Sequence, residues 1–204
     1  MTHVSVTWHA AMRPMPGETI CGDGYRVATS QISTLIVGID GLGHGVKAAE
    51  ATQATLEAID AQPQLGPLDL LEHCHRAIRH TRGAAMTAAR INHQANEIVW
   101  AGVGNVNALI LRYQGHGSSN REHLLLRGGV VGYRLPSLRA HSTRIRPCDT
   151  LIMVSDGIRS GFAEALPSHQ NPEDIAQYIL SNFARETDDA TAIVVRLEDN
   201  HHAQ

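Results

Sequence analysis

The sequence predicts an α+β fold in which mainly antiparallel sheets are layered against helices. The first reason is the order of the segments: strands, two helices, many strands, one helix and a final strand, which is not the strict alternation of a βαβ protein. The second is composition, because 204 residues, 43% of them hydrophobic, can bury the core of one domain. No linker divides the chain, so we expect a single domain over residues 1–197.

Short apolar segments between turn residues predict the strands. Val4, Val6 and Trp8 alternate with polar residues, which is the period of a half-buried strand. Residues 33–39 are almost wholly apolar, so we expect this strand to be covered on both faces. Residues 12–24 are rich in Pro and Gly and predict a loop. Further predicted strands are residues 25–30, 84–92, 97–100, 106–112, 141–146, 150–154 and 190–197.

Three segments have helical character. Residues 46–61 contain no Pro or Gly and are rich in good helix formers. Residues 68–79 repeat apolar groups at helical spacing, and residues 172–182 begin with Pro at a first-turn position. Two polar segments complete the chain: residues 113–123 predict a mobile hairpin tip, and residues 198–204 predict a disordered tail.

Composition excludes several classes of function. A net charge of −3 and 4% aromatic residues argue against nucleic acid as a partner. The three cysteines, Cys21, Cys74 and Cys148, form neither a disulfide framework nor a CxxC metal site, which favours a reducing cytoplasm. The sequence has no signal peptide and no apolar stretch of about 18 residues, so we expect no membrane association.

Acidic residues stand at the ends of apolar segments. Two such segments, far apart in the chain, both finish with Asp-Gly, and an Asp-Asp pair precedes the last predicted strand. These dipeptides are Asp40-Gly41, Asp156-Gly157 and Asp188-Asp189. Carboxylates held by rigid strand ends bind hard divalent cations, and cations would relieve the repulsion between like charges. The alternative interpretation is that each Asp-Gly is only a surface turn.

Six motifs in a fixed order carry a resemblance to a known family. They are Cys21-Gly22-Asp23-Gly24, Asp40-Gly41-Leu42-Gly43-His44-Gly45, Gly102-Val103-Gly104-Asn105-Val106, Gly128-Gly129-Val130-Val131-Gly132, Ser155-Asp156-Gly157 and Asp188-Asp189-Ala190-Thr191. The chain resembles the type 2C (PPM) metal-dependent Ser/Thr protein phosphatases. Within them it is most similar to the SpoIIE-like bacterial branch and its short, RsbX-type stressosome phosphatases.

The resemblance implies an αββα sandwich with two divalent cations, Mn²⁺ or Mg²⁺, at one end of the sheets. By position, Asp40 would bridge the cations and Gly41 would offer a backbone carbonyl. Asp156 and Asp188 would hold one cation, and Asp23 would help to hold the other, mostly through water. These are the ligand types that both cations prefer.

The remaining site predictions also follow from the resemblance. Some residues would support the ligands without touching a cation, namely Asp189, Asn105 and Gly157. The loop with Gly128, Gly129 and Gly132 would let a bulky phosphoprotein approach closely, or it is simply a turn.

A mechanism and its alternatives can be compared at this stage. A water that bridges the two cations would lose a proton and attack phosphorus directly. His44 is a candidate general acid for the leaving oxygen, or else it only positions its loop. A cysteine phosphatase needs Arg six positions after Cys, whereas Arg26 follows Cys21 by five. The motif required of an aspartyl phosphotransferase, Asp-x-Asp after a first strand, is missing, and the loop after Asp40 lacks the third glycine of a dinucleotide fingerprint.

The resemblance also implies a partner. The substrate would be a phosphorylated STAS-domain regulator of a stressosome or partner-switching pathway, and the phosphatase itself would be a monomer or a weak dimer. The alternative is a catalytically inactive domain that binds such a regulator without turnover. Retention of all the main acidic ligands argues against that alternative.

Overall fold

Ten strands form two five-stranded antiparallel sheets within residues 4–113, 119–166 and 170–199, which the computed structural model describes. The strands are β1 Val4–Arg13, β2 Asp23–Thr29, β3 Ser33–Gly41, β4 Ala84–Asn92, β5 Glu97–Val103, β6 Asn107–Tyr113, β7 Ser119–His123, β8 His141–Arg144, β9 Thr150–Val154 and β10 Ala190–Asp199. The helices are α1 Val46–Ala61, α2 Pro67–Ala77 and α3 Pro172–Phe183, with a short 3₁₀ helix at Phe162–Glu164.

The two sheets pack face to face between layers of helix. The first sheet has the strand order β1-β10-β9-β6-β7, and the second has the order β2-β3-β4-β5-β8. Trp100 from one sheet and Met153 and Ile193 from the other lie in the buried core between them. Helices α1 and α2 cover the outer face of the second sheet, and α3 covers that of the first. The α+β class and the αββα sandwich are therefore confirmed.

Local sequence sets the helix ends. Helix α1 follows Gly45, whose φ of 69° is a left-handed conformation that favours glycine. At the start of α3 the Asn171 side chain accepts a hydrogen bond from the Asp174 backbone N–H at 2.9 Å, and Pro172 occupies the first turn. None of the helices in the described ranges is long and apolar enough to cross a membrane.

Three predictions about polar segments were wrong. Strand β1 continues to Arg13, where a loop was expected, because it pairs with β10 along its whole length. The same pairing keeps residues 198–199 of the expected disordered tail in β10. Residues 119–123 of the expected hairpin tip form β7, because they pair with β6. The rest of that tip, residues 114–118, and of the tail, residues 200–204, lies outside the described residues.

Candidate metal centre

The first two aspartates of the site are cross-strand neighbours. Asp23 opens β2 and Asp40 stands one residue before the end of β3, and the two are directly opposite each other in the antiparallel ladder. Opposed residues of such a pair place their side chains on the same face, about 5 Å apart at Cβ. The two carboxylates therefore lie side by side at one end of the second sheet.

The other two aspartates flank neighbouring strands of the first sheet. Asp156 follows β9 and Asp188 precedes β10, and these strands are antiparallel neighbours. Ser155 joins the two segments: its backbone N–H donates to the Thr191 carbonyl at 3.1 Å, and its hydroxyl accepts from the Thr191 N–H at 3.0 Å. The end of β9 and the start of β10 are thus held together at the same end of the sheet.

Electrostatic coupling shows that the two pairs of carboxylates converge. Burial, together with the charges of Asp23, Asp156 and Asp188, raises the pKa of Asp40 to about 8. A hydrogen bond from Asn105 to Asp40 acts in the opposite direction. The Asn105 amide also donates to Asp156 Oδ2 at 2.5 Å, so this one side chain links the aspartates of the two sheets.

Asp23 and Asp188 have perturbed pKa values for the same physical reasons. The pKa of Asp23 is raised to about 7, chiefly by burial, even though the Ser155 and Thr191 hydroxyls act to lower it. The pKa of Asp188 is raised by burial and by the charge of Asp156, while His44 acts to lower it. Carboxylates in this setting resist ionisation unless positive charge is added.

The protein itself does not supply that positive charge. Among the described residues, no Lys or Arg forms an ion pair with any of the four aspartates. Asp23 is 4% exposed, and its Oδ2 is buried without a hydrogen-bond partner in the described part of the chain. An all-oxygen set of this kind fits Mg²⁺ or Mn²⁺.

The carboxylates do not form a ready-made cage. In the described segments no three His, Cys, Asp or Glu side chains are grouped so as to hold a single ion. Mg²⁺ keeps several of its waters and typically takes one or two carboxylates. Two pairs of aspartates shared between two cations therefore fit the chemistry better than one compact cage.

Both Asp-Gly glycines are required by close packing. A Cβ on Gly41 would lie 2.2 Å from the Ala48 carbonyl oxygen, and one on Gly157 would lie 1.8 Å from the Asp189 carbonyl oxygen. Either contact is far inside van der Waals distance, so a side chain would displace the neighbouring segment. The glycines thus let α1 and the start of β10 approach the strand ends that carry the aspartates.

Asp189 ties down the loop that leads to β2. Its Oδ1 accepts from the Met15 backbone N–H and its Oδ2 from the Gly22 backbone N–H, both at 2.8 Å. Gly22 stands immediately before Asp23, so this buried carboxylate fixes the position of a candidate ligand. Both Asp189 oxygens are thus engaged by backbone N–H groups, and its supporting role at the site stays a prediction.

His44 stands at the rim of the site. Its side chain is 57% exposed, and its Nδ1 lies 3.0 Å from Glu18 Oε1. A carboxylate on Nδ1 fixes the tautomer and the orientation of the ring. No hydrogen bond to Nε2 is formed by any described residue, which leaves that nitrogen available for proton transfer.

The glycine loop divides into an exposed part and a buried part. Gly128 is exposed, and Gly129 lies next to Gly104. Gly132 is buried, and its N–H donates to His75 Nδ1 at 3.0 Å, which packs the loop against α2. Gly132 is therefore a packing position, and the expected substrate contact at Gly128, Gly129 and Gly132 stays a prediction.

Comparison with known proteins places the chain in a family. The stage II sporulation protein E (SpoIIE) family matches residues 31–198, which is most of the sequence. The chain belongs to the SpoIIE family. The phosphoserine phosphatase RsbX of Bacillus subtilis (strain 168) is 23% identical over 183 residues, covering 89% of each chain.

Solved structures share this SpoIIE-family fold. RsbX in complex with magnesium superposes with a TM-score of 0.84 at 21% identity, over 97% of this chain and 100% of that chain. A structure from work on the bacterial stressosome as a system adapted to control secondary messenger signalling gives 0.81 at 27% identity, over 96% and 100%. The catalytic domain of the serine/threonine protein phosphatase PstP with two manganese ions gives 0.67 at 15% identity, over 96% and 100%. The fold is that of the PP2C phosphatases.

Some contributors to this SpoIIE-family site were missed in the sequence. The hydroxyl-bearing residues Ser155 and Thr191 lie within the recognised motifs, but their contact with Asp23 depends on how the two sheets pack. Glu18 has no local signal at all, because it stands in an irregular loop and meets His44 only in the folded chain.

Proposed function

We propose that this SpoIIE-family chain is a phosphoserine and phosphothreonine protein phosphatase that depends on Mn²⁺ or Mg²⁺. The observation that carries the proposal is the convergence of four carboxylates from two sheets with no cationic side chain paired to them. Two similar proteins support it, since RsbX is a phosphoserine phosphatase and PstP is a serine/threonine protein phosphatase solved with two manganese ions.

The ligands would be the side chains of four aspartates and one backbone carbonyl. They are Asp23, Asp40, Asp156, Asp188 and the carbonyl of Gly41. When bound, the cations supply Lewis acidity, which activates water and neutralises charge on the phosphoryl oxygens. Asn105 holds Asp40 and Asp156 in place through hydrogen bonds, and Asp189 holds the loop before Asp23.

His44 would donate the proton that the leaving serine or threonine oxygen needs. Glu18 at Nδ1 orients the ring, so that Nε2, the other ring nitrogen, would face the leaving oxygen. An electrostatic effect of His44 on the pKa of Asp188 supports this role, because it acts to lower that pKa.

The substrate we propose is a phosphorylated STAS-domain regulator. The support is the likeness to RsbX and to a structure from work on the bacterial stressosome. An open rim around the carboxylates, with Gly128 and His44 exposed, suits a folded phosphoprotein better than a small metabolite that must be enclosed.

Hydrolysis of p-nitrophenyl phosphate tests the activity. We expect turnover with Mn²⁺, none with excess chelator, and a loss of at least about 100-fold in Asp156→Asn. Asp60→Asn, an exposed carboxylate on α1 that pairs with Arg26, is the matched control and should retain full activity. Phosphate release from a phosphorylated STAS-domain protein, compared with phosphocasein, tests the substrate. A wild-type protein that is inert with Mn²⁺ yet binds the STAS-domain protein would refute catalysis in favour of a binding role.

A further inference from the structure

A cationic segment lies beside the acidic centre. Residues 73–96 contain no Asp or Glu, although the chain carries a net charge of −3. Arg76, Arg79 and Arg82 follow one another at the end of α2 and in the loop before β4. No ion pair to these arginines occurs among the described residues. Positive charge is thus concentrated here and left uncompensated.

Arg82 brings this charge next to the candidate ligands. Its Nη1 donates to the Leu42 carbonyl at 3.3 Å, and the Leu42 N–H donates to the Gly83 carbonyl at 3.1 Å. Leu42 stands two residues after Asp40, at the exit of β3. The loop that carries the arginine and the loop that follows the aspartate are therefore joined through their backbones.

A cavity opens between this loop and the start of α1. Its volume is about 500 Å³, and it is lined by Lys47, Glu50, His80, Thr81 and Arg82. Glu50 is engaged by Lys47 at 2.8 Å, in an exposed pair within one helix. Two neighbours of lining residues are exposed apolar side chains: Leu42, whose carbonyl accepts from Arg82, at 44%, and Val46, which precedes Lys47, at 58%. The cavity therefore combines positive charge with apolar surface.

Helix stability does not account for this charge. Arg76 lies in the last turn of α2, where a cation interacts favourably with the helix dipole. Arg82 lies beyond the helix, and within the described residues its side chain donates only to the neutral Leu42 carbonyl. Lys47 lies in the first turn of α1, where a cation is unfavourable to the helix. Glu50 partly compensates Lys47, whereas an external anion would supply the acidic partner that Arg82 lacks among the described residues.

We infer that Lys47, His80 and Arg82 form a docking subsite for acidic residues that flank the phosphorylated residue of a protein substrate. The inference rests on the proposed phosphatase function and adds a preference among substrates. An acidic sequence would be repelled by the four aspartates, and a cationic groove beside them would offset that repulsion and orient the segment. The phosphoryl group itself would bind at the carboxylate centre, and the groove would bind the substrate residues on either side of the phosphorylated one.

Two phosphoserine peptides test this subsite. They share one sequence, except that Asp and Glu flank the phosphoserine in the first and Asn and Gln in the second. We expect the kcat/KM of the wild type to be about tenfold higher for the acidic peptide than for the neutral one. Lys47→Gln and Arg82→Gln should each reduce that ratio to about threefold or less, and Arg82→Glu should abolish the preference. The preference should also shrink in 0.5 M salt, because screening weakens exposed charge pairs.

Arg144→Gln is the control. This arginine is exposed and forms no ion pair among the described residues. It lies on β8 opposite Glu97, at the end of the β5–β8 pair that is away from the groove. The inference is overturned if the wild type treats the two peptides alike, or if Arg144→Gln lowers the ratio as much as Arg82→Gln does. Turnover of p-nitrophenyl phosphate reports separately on the proposed function. If that turnover is absent, the affinities of the two peptides, measured by fluorescence anisotropy in the same variants, test the groove by itself.

Discussion

Strand β9 has a carboxylate close to each end, and the two carboxylates differ in the partners that surround them. Before the strand, Asp149 is 1% exposed and accepts hydrogen bonds from Arg112 at 2.8 Å, from the Arg146 N–H at 3.0 Å and from the Tyr113 N–H at 3.1 Å. After it, Asp156 joins three more aspartates that have no cationic partner among the described residues. One carboxylate is neutralised within the fold, and the other group is not.

The difference separates a structural carboxylate from a functional one. A buried charge with a full set of partners contributes to a stable native state, and losing one partner is costly. A group of carboxylates that are close together and have no cationic partner destabilises the metal-free fold and is retained where a ligand supplies the missing charge. Variants at the two ends of β9 should therefore change different properties.

The largest effect is expected on catalysis in Asp40→Asn. Activity with Mn²⁺ should fall by at least about 1000-fold, because this carboxylate would be shared by both cations. The melting temperature of the metal-free protein should stay the same or rise, since the neutral amide replaces a carboxyl that repels its neighbours whenever it ionises. Steady-state kinetics and thermal melts with chelator measure the two properties. A large loss of metal-free stability in this variant would contradict the contrast.

The second effect is on stability, in Arg112→Ala. The substitution leaves Asp149 buried without its cation, so the free energy of unfolding should fall by about 3 kcal/mol, equivalent to about 9 °C in melting temperature. Activity per folded molecule should be retained. Arg26→Ala, which removes an exposed pair with Asp60, should cost less than about 1 kcal/mol. Equal decreases in the free energy of unfolding of the two variants would show that the buried Arg112–Asp149 pair stabilises the fold no more than an exposed pair does.

The third effect concerns His44 at the rim of the site, which should matter only for substrates whose leaving group needs a proton. His44→Gln should lower kcat on a phosphoserine peptide by about 30-fold and change turnover of p-nitrophenyl phosphate by less than about threefold, because a nitrophenolate leaves without a proton. Glu18→Gln should produce a weaker version of the same pattern. A uniform decrease on both substrates would instead indicate that His44 positions the loop after Asp40.

The smallest effect is the pH dependence of metal-free stability. The pKa of Asp23 is about 7 in the folded state and 3.8 as its ordinary value, so the folded protein holds a proton that the unfolded chain has released. Stability must then fall as pH rises, by about 1 kcal/mol between pH 6 and 7, or about 3 °C. Melts of wild type and Asp23→Asn with chelator isolate this contribution from histidine titration. Mn²⁺ should remove it, and an identical slope in both proteins would contradict it.

Local signals determined much of the fold and named the candidate ligands. Helix α1 was predicted with its observed bounds, because residues 46–61 lack Pro and Gly and are rich in good helix formers. Strands β4 and β9 were also predicted with their observed bounds, since each is a largely apolar segment with turn residues at both ends. Asp40 and Asp156 could be identified because each apolar strand ends in the same dipeptide.

The tertiary structure alone decided which of these residues meet. The register of β2 against β3 places Asp23 opposite Asp40, and strand register depends on pairing between segments, which periodicity within either segment does not reveal. Pairing likewise turned residues 198–199 into strand, and folding brought Glu18 to His44 and Asp189 to the Gly22 N–H. Sequence fixes the chemistry of each side chain, but backbone pairing and close packing fix the distances between them, and those distances make a site.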